Sequence, residues 1–182
     1  MKKVFILAAM VCSLSIAAFA QDKKADFSGT WTLDVSKSKL GDRNNIESQT
    51  LTVTQTASDI KVESATKRSA PPAGAPAGGG GGGGMGRGGG FGGGDGTTTY
   101  TLDGKEVKSE IQGQMGSMAV STKAKLDGGK FMVTRTITTP MGDRVSSESW
   151  ELSTDGNTLT ITSQRPNRDG GTDTTTKIFV KK

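Results

Sequence analysis

Phe27-Ser28-Gly29-Thr30-Trp31-Thr32-Leu33 is the stretch that decides the fold of this chain. Apolar residues alternate with Ser and Thr along it, which is typical of a β-strand with one buried face. The Gly-x-Trp at its centre opens a series of short segments with the same alternation. The stretch therefore predicts a small β-barrel whose first strand carries a packed tryptophan.

The rest of the chain repeats this alternation, with Thr, Ser and Lys on the second face. Threonine is β-branched and suits a pleated surface better than a helix. Turn signals such as Asp127-Gly128-Gly129 and Asp155-Gly156-Asn157 separate the segments. The pattern predicts an all-β fold, an antiparallel up-and-down meander of eight to ten strands that forms a barrel or a sandwich. The predicted strands are 28–36, 48–56, 59–67, 97–103, 106–112, 117–126, 130–139, 144–153, 157–165 and 173–181.

Residues 1–20 have the composition of a signal peptide. Lys2 and Lys3 precede an apolar stretch, and Ala18-Phe19-Ala20 gives the small-x-small cleavage pattern. We expect cleavage after Ala20 and an exported protein, periplasmic or secreted. Cys12 would be lost with this segment. The apolar stretch is too short for a membrane span, and no other segment approaches that length.

The mature chain, 21–182, would contain neither cysteine nor histidine. A disulfide-linked partner, metal sites with thiolate or imidazole ligands, and Ser-His-Asp or Cys-His catalysis are therefore not expected. We expect no cofactor and no enzymatic activity. The formal charge falls from +5 to +3 when Lys2 and Lys3 are removed. The remaining positive charges are scattered, which argues against binding to nucleic acid.

A segment rich in Gly, Pro and Ala occupies residues 69–96 and holds 16 of the 27 glycines. It cannot bury enough apolar surface to offset its ordering entropy, so we expect a long disordered loop. A lid or an adhesive role is the alternative. Because the segments on both sides share one pattern, we expect one domain over 21–182 that this loop interrupts.

Three turns predict the pairing of four strands and hence an inner face. They are centred on Gly128-Gly129, Met141-Gly142 and Asp155-Gly156. The inner face would be apolar at one end and polar at the other, where Arg135 would lie opposite Glu148. The predicted pairs are Leu126–Phe131, Ala124–Val133, Thr122–Arg135, Arg135–Glu148, Val133–Trp150, Trp150–Ile161, Leu152–Leu159 and Glu148–Ser163.

The polar row of Thr122, Arg135, Glu148 and Ser163 is the candidate site. Arg135 and Glu148 would form an ion pair that fixes the register, and this interpretation is preferred. Alternatively, Arg135 would hold the carboxylate or phosphate of a ligand in an otherwise apolar pocket.

Four further residues have polar groups on or beside the predicted strands. Trp31 and Trp150 are expected to pack in the core first and to line a cavity second, with their N–H groups on backbone carbonyls. Tyr100 and Lys105 are interpreted as ordinary strand and turn surface.

Two short motifs carry a family resemblance. Gly29-Thr30-Trp31 resembles the Gly-x-Trp motif of lipocalins, and the opening stretch is similar to exported lipocalin-like proteins of bacteria. Thr176-Lys177-Ile178-Phe179-Val180-Lys181 resembles the closing strand of intracellular fatty-acid-binding proteins, with Lys177 and Phe179 in place of an Arg and a Tyr. These families are calycins, so the resemblance implies a barrel with a lumen for a small lipophilic molecule.

Two functions follow as hypotheses. The first is noncatalytic binding of a small lipophilic molecule in the lumen. The alternative is a structural or interaction module of the cell envelope, with a filled barrel and an adhesive glycine-rich loop. An outer-membrane barrel is disfavoured, because aromatic residues are only 5% of the chain and Thr, Ser and Lys occupy the outer face.

Overall fold

The computed structural model describes residues 25–41, 44–69, 95–113, 116–167 and 169–182. The predicted signal peptide and nearly all of the predicted loop, 70–94, lie outside these residues and stay predictions. No helix in the described ranges is long and apolar enough to cross a membrane. The described strands are β1 (Gly29–Leu33), β2 (Ile46–Gln55), β3 (Asp59–Arg68), β4 (Gly96–Thr101), β5 (Asp103–Gly113), β6 (Gly116–Asp127), β7 (Lys130–Thr139), β8 (Gly142–Leu152), β9 (Thr158–Pro166) and β10 (Thr172–Lys181).

These strands form one antiparallel sheet in the order β4-β3-β2-β1-β10-β9-β8-β7-β6-β5. Every strand pairs with its sequence neighbour except β4 and β5, which are the two ends of the sheet. The sheet curls so that β4 contacts β6, and Tyr100 on β4 meets Phe131 on β7 edge-on at 5.6 Å between ring centroids. The predicted all-β, up-and-down barrel is confirmed as a nearly closed barrel of ten strands.

Two of the three predicted turns set the observed register. The β6–β7 ladder pairs Thr122 with Arg135, and the β8–β9 ladder pairs Glu148 with Ser163. The prediction for the β7–β8 turn was wrong by two residues. Arg135 lies opposite Ser146, and Glu148 lies opposite Val133.

The cause lies in the turn itself. Pro140 and Met141 alone connect the strands, and Thr139 pairs directly with Gly142. The fixed φ of proline suits the first central position of a tight turn. The Thr139 hydroxyl closes the turn by donating to the Gly142 carbonyl at 2.7 Å. Because the shift is an even number of residues, Arg135 and Glu148 still share the inner face.

Gly29 shows why the first strand needs a glycine. Its φ is +137°, and a Cβ atom there would lie 2.9 Å from Cε of Lys181. The missing side chain lets Lys181 cross this position and place its amine 5.2 Å from the centre of the Trp31 ring. The glycine of the Gly-x-Trp motif thus allows β10 to pack closely against β1.

Aromatic side chains fill one end of the barrel interior. Trp31 and Phe131 are 0% exposed, and the Phe131 ring meets Trp150 edge-on at 5.3 Å. Phe27 closes this end and accepts a hydrogen bond on its carbonyl from Nε1 of Trp31, at 2.9 Å. We call this cluster the aromatic end; it consists of Phe27, Trp31, Phe131, Trp150 and Phe179.

Candidate ligand-binding site

Immediately beyond the aromatic end, a band of polar side chains crosses the inner face of seven strands. Alternation along each strand puts these residues on the same face as the buried apolar ones. We call this band the polar belt; it consists of Ser64, Gln49, Lys177, Ser163, Glu148, Arg135 and Thr122. It contains every polar residue of the predicted site.

Glu148 is held by two neighbours from the barrel wall. Its Oε1 atom accepts a hydrogen bond from Nε1 of Trp150 at 2.6 Å, and its Oε2 atom accepts one from Oγ of Ser163 at 3.0 Å. Trp150 is 3% exposed and Ser163 is 7% exposed, so neither donor has ready access to water. The carboxylate therefore has a fixed position at the boundary with the aromatic end. The prediction that the Trp150 N–H donates to a backbone carbonyl was wrong, because it donates to the Glu148 side chain.

Lys177 occupies the opposite part of the belt. Its Nζ atom donates to Oε1 of Gln49 at 2.9 Å, and Nε2 of Gln49 donates to Oγ of Ser64 at 3.0 Å. Gln49 is 3% exposed. This chain of hydrogen bonds passes the end of the short strand β1 and joins β10 to β2 and β3.

Positive charge dominates this part of the lumen. Burial lowers the pKa of the Lys177 amine, Glu148 partly offsets this by raising it, and Arg165 and Arg68 lower it further. Burial also lowers the pKa of the Arg165 guanidinium, while Glu148 raises it and Arg135 lowers it. These mutual effects require the groups to be close. Arg135 and Arg165 themselves have polar or electrostatic contacts.

Tyr100 completes the site from β4, across the lumen. The side chain is buried, and this burial raises the pKa of its phenol far above the ordinary value. The charge of Glu148 raises the pKa further, while Arg135 lowers it. The hydroxyl is therefore a neutral donor and acceptor facing the charged residues. The interpretation of Tyr100 as strand surface was wrong, whereas Lys105 lies exposed at the start of β5, paired with Asp103.

The lumen beyond the polar belt has two different sides. On one side, most inward side chains of β5, β6 and β7 beyond the belt are apolar, with Ser109 as the polar exception, and we call the apolar ones the apolar wall. Val107 on this wall is 51% exposed, although it points inward opposite Thr122. The inner face of β8 to β10 carries Arg165 instead, with Asp173 opposite it in the ladder. The members of the apolar wall are Val107, Ile111, Met118, Val120 and Ile137.

This arrangement gives the inner face of the barrel an amphipathic character. Cationic and hydroxyl groups are ready for an acidic or polar end-group, and the apolar wall is ready for a hydrocarbon part. The described residues contain no cluster of Asp, Glu, His or Cys side chains that could bind a metal ion.

The structure gathers most of the predicted site residues but not all of them. Thr122, Arg135, Glu148 and Ser163 lie together in the polar belt, and Trp150 joins them through its bond to Glu148. Trp31 lies within the aromatic end and packs as predicted. Sequence reasoning missed Lys177 and Gln49 as site residues; both share the inner face with apolar neighbours on their strands, which was the available signal.

A concave region lies on the outside of the barrel. It is a groove of about 440 Å³ on β5, β6 and β7, lined by Glu106, Lys108, Ser109, Glu110, Ala119, Val120, Ser121 and Thr138. Six of these eight residues alternate with the apolar wall and face outward, whereas Ser109 and Val120 have the inward register and border the groove from beneath. The groove is therefore separate from the polar belt.

No protein family and no curated protein matches the sequence of this chain. Solved structures that are similar in fold include fatty-acid-binding protein 1 from Echinococcus granulosus, at 16% identity and a TM-score of 0.47 over 85% of this chain and 96% of that chain. The zebrafish ileal bile-acid-binding protein, in complex with cholic acid, is similar at 16% identity and a TM-score of 0.44 over 86% of this chain and 98% of that one.

Proposed function

We propose that this protein is an exported, noncatalytic carrier that binds a small lipophilic molecule with an anionic end-group inside the barrel. The observation that carries the proposal is the division of the lumen beyond the polar belt. Arg135, Arg165 and Lys177 outnumber the two carboxylates of this inner face, Glu148 and Asp173. The exposed side chain of Val107 marks the hydrocarbon side facing them.

The proposed pose follows from this division. The anionic group lies near Arg135 and Arg165, with the Tyr100 hydroxyl as an additional donor. The hydrocarbon part lies along the apolar wall, because the aromatic end is already filled. A guanidinium suits a carboxylate, sulfonate or phosphate, since its planar fork donates two parallel hydrogen bonds.

Binding is tested with a matched pair of fluorescent probes, 1-anilinonaphthalene-8-sulfonate and uncharged N-phenyl-1-naphthylamine. We expect Arg135→Met to weaken binding of the sulfonate about tenfold, the effect of losing one charged hydrogen bond. Binding of the neutral probe should change much less. Lys130→Met is the control, because Lys130 lies on the outer wall and pairs with Glu151 at 2.8 Å. Equal losses for both probes, or equal effects of both variants, would contradict the proposed site.

Export is a separate part of the proposal and rests on the composition of residues 1–20. Expression of the full chain in a bacterium, followed by cell fractionation and N-terminal sequencing, tests it. The expected product begins at Gln21 and is found outside the cytoplasm. A product that retains Met1 inside the cell would contradict it.

A filled barrel with a structural role in the cell envelope is the second candidate. The aromatic end favours it, since Trp31, Phe27, Phe131 and Phe179 are 0% exposed and leave that half of the interior to core packing. The probe titration separates the two candidates. A filled module would bind neither probe in the lumen.

A further inference from the structure

We infer that Lys177 is a covalent capture site for lipophilic aldehydes, whose carbonyl carbon forms an imine with the Lys177 Nζ atom inside the barrel. This inference rests on the proposed function, because the aldehyde enters as a lipophilic guest of the lumen. It adds an activity that simple carriage does not require.

The first observation that supports the inference is the position of Lys177. The residue pairs with Ile161 in the β9–β10 ladder, and Ile161 pairs with Trp150 in the next ladder. Lys177 therefore shares its inward face with the apolar residues around the aromatic end. The residue is partly buried, and its amine lies inside the barrel at the buried Gln49 side chain.

The second observation is the hydrogen-bond partner of the Lys177 amine. Gln49 is a neutral acceptor, and within the part of the chain that the structure describes no carboxylate forms an ion pair with Lys177. Burial and the nearby guanidinium groups lower the pKa of this amine. Only the neutral amine has a lone pair for attack on a carbonyl carbon, and desolvation is a common means of activating a lysine for Schiff-base formation.

Lys67, on the outside of the barrel, has the opposite environment. Lys67 is exposed and lies 2.9 Å from Glu47. Its hydrogen bond to Glu47, and the charge of that carboxylate, raise the pKa of the Lys67 amine. Lys67 is therefore the more accessible and the less nucleophilic of the two, which makes it the matched comparison.

The reaction balances with no further reagent. The neutral amine attacks the aldehyde carbon, a C–N bond forms, and the carbonyl oxygen takes up a proton to give a carbinolamine. The C–O bond then breaks and water leaves. Two of the three hydrogens of the original ammonium group are now in that water molecule, and the third remains as the N–H of the protonated imine. Overall, an ammonium ion and an aldehyde give a protonated imine and one water molecule.

The site is suited to this product. The protonated imine keeps the positive charge that Lys177 places near Glu148. It also keeps one N–H, and the structure gives the amine one acceptor, Oε1 of Gln49 at 2.9 Å. The positive charge and the hydrogen bond to Gln49 are therefore both kept when the imine forms.

The test uses decanal and sodium cyanoborohydride at neutral pH, with peptide mapping by mass spectrometry. The reductant converts each imine into a stable secondary amine, which adds one decyl group to the lysine. We expect Lys177 to be labelled faster than Lys67, because a lowered pKa leaves a larger fraction of the Lys177 amine neutral at the same pH, whereas a raised pKa leaves a smaller fraction of the Lys67 amine neutral. Lys177→Arg should remove the label at this position, and Lys67→Arg should leave the Lys177 label unchanged.

Two comparisons make the result specific. Propanal should label Lys177 with less preference over Lys67 than decanal does, because its short chain gains little from the apolar wall. Decanol, which has no carbonyl group, should slow labelling of Lys177 and not of Lys67. Labelling of Lys177 no faster than Lys67, or with no preference for the long chain, would overturn the inference.

This failure is distinguishable from failure of the proposed function. If the sulfonate probe binds and depends on Arg135 while Lys177 remains unlabelled, the lumen binds ligands and Lys177 is only a structural donor to Gln49. If neither the probe binds nor the label forms, the proposed function and the inference both fail.

Discussion

The two ends of the barrel interior are built from the same strands and the same alternation, yet they have opposite character. On β7, Phe131 is completely buried, while Arg135 four residues later faces the lumen in the polar belt. On β10, Phe179 and Lys177 show the same contrast over two residues. One end uses shape and burial to hold the fold, and the other keeps charged groups where a guest molecule can meet them.

The largest expected effect tests the aromatic end. Phe131→Ala should lower the free energy of unfolding by about 3–5 kcal/mol, because a fully buried ring is lost and Tyr100, Trp150 and Phe27 lose their contact with it. Urea unfolding measures this change. A loss below about 1 kcal/mol, as for an exposed residue, would show that this end is not a packed core.

The polar belt should contribute to stability by a smaller amount. Glu148→Leu leaves the Trp150 indole and the Ser163 hydroxyl without their acceptor, and we expect a loss of about 1–3 kcal/mol. Glu151→Leu, on the outer face of the same strand, is the control in the same urea titration. Equal losses for the two variants would remove the distinction between belt and surface.

Tyr100 gives a pH-dependent test of the boundary between the two ends. It is the only tyrosine in the chain, so tyrosinate absorbance reports this residue alone. Its pKa is raised in the folded state by burial first and by Glu148 second. We expect the folded protein to show no ionisation near the ordinary value of 10.0, and tyrosinate to appear only on unfolding.

The sign of the stability change follows. Because the folded state holds the phenol proton more tightly than the unfolded state, the contribution of Tyr100 is complete below pH 10 and is lost as the pH rises further. Tyr100→Phe, which keeps the ring against Phe131, should remove this part of the pH dependence. Ionisation of the folded protein near pH 10 would place Tyr100 in water.

The smallest expected effect lies outside both ends. Lys130→Ala breaks an exposed pair with Glu151 and should change the free energy of unfolding by about 0–1 kcal/mol, with a smaller effect at high salt. Thermal unfolding at low and high ionic strength measures it. A larger loss would mean that the outer wall contributes as much as the interior.

Local sequence signals predicted the strands and most of the inner face, because alternation and turn glycines act over a few residues. The β7–β8 register could not be predicted correctly, since Pro140, Met141 and Gly142 are compatible with two turn centres. Tyr100 stands among threonines, and it becomes buried only because barrel closure brings β4 against Phe131. Lys177 reaches Gln49 across 128 residues of sequence and past the end of β1, a contact that no local pattern encodes.

The most direct test of the central claim compares two valines of nearly equal exposure. Val107 faces the lumen and is 51% exposed, whereas Val145 is 53% exposed on the outer face of β8. In methyl-labelled protein with added dodecanoate, we expect intermolecular nuclear Overhauser effects from the alkyl chain to Val107 and none to Val145. Contacts to both valines in proportion to exposure, or contacts only around the outer groove, would contradict a binding site inside the barrel.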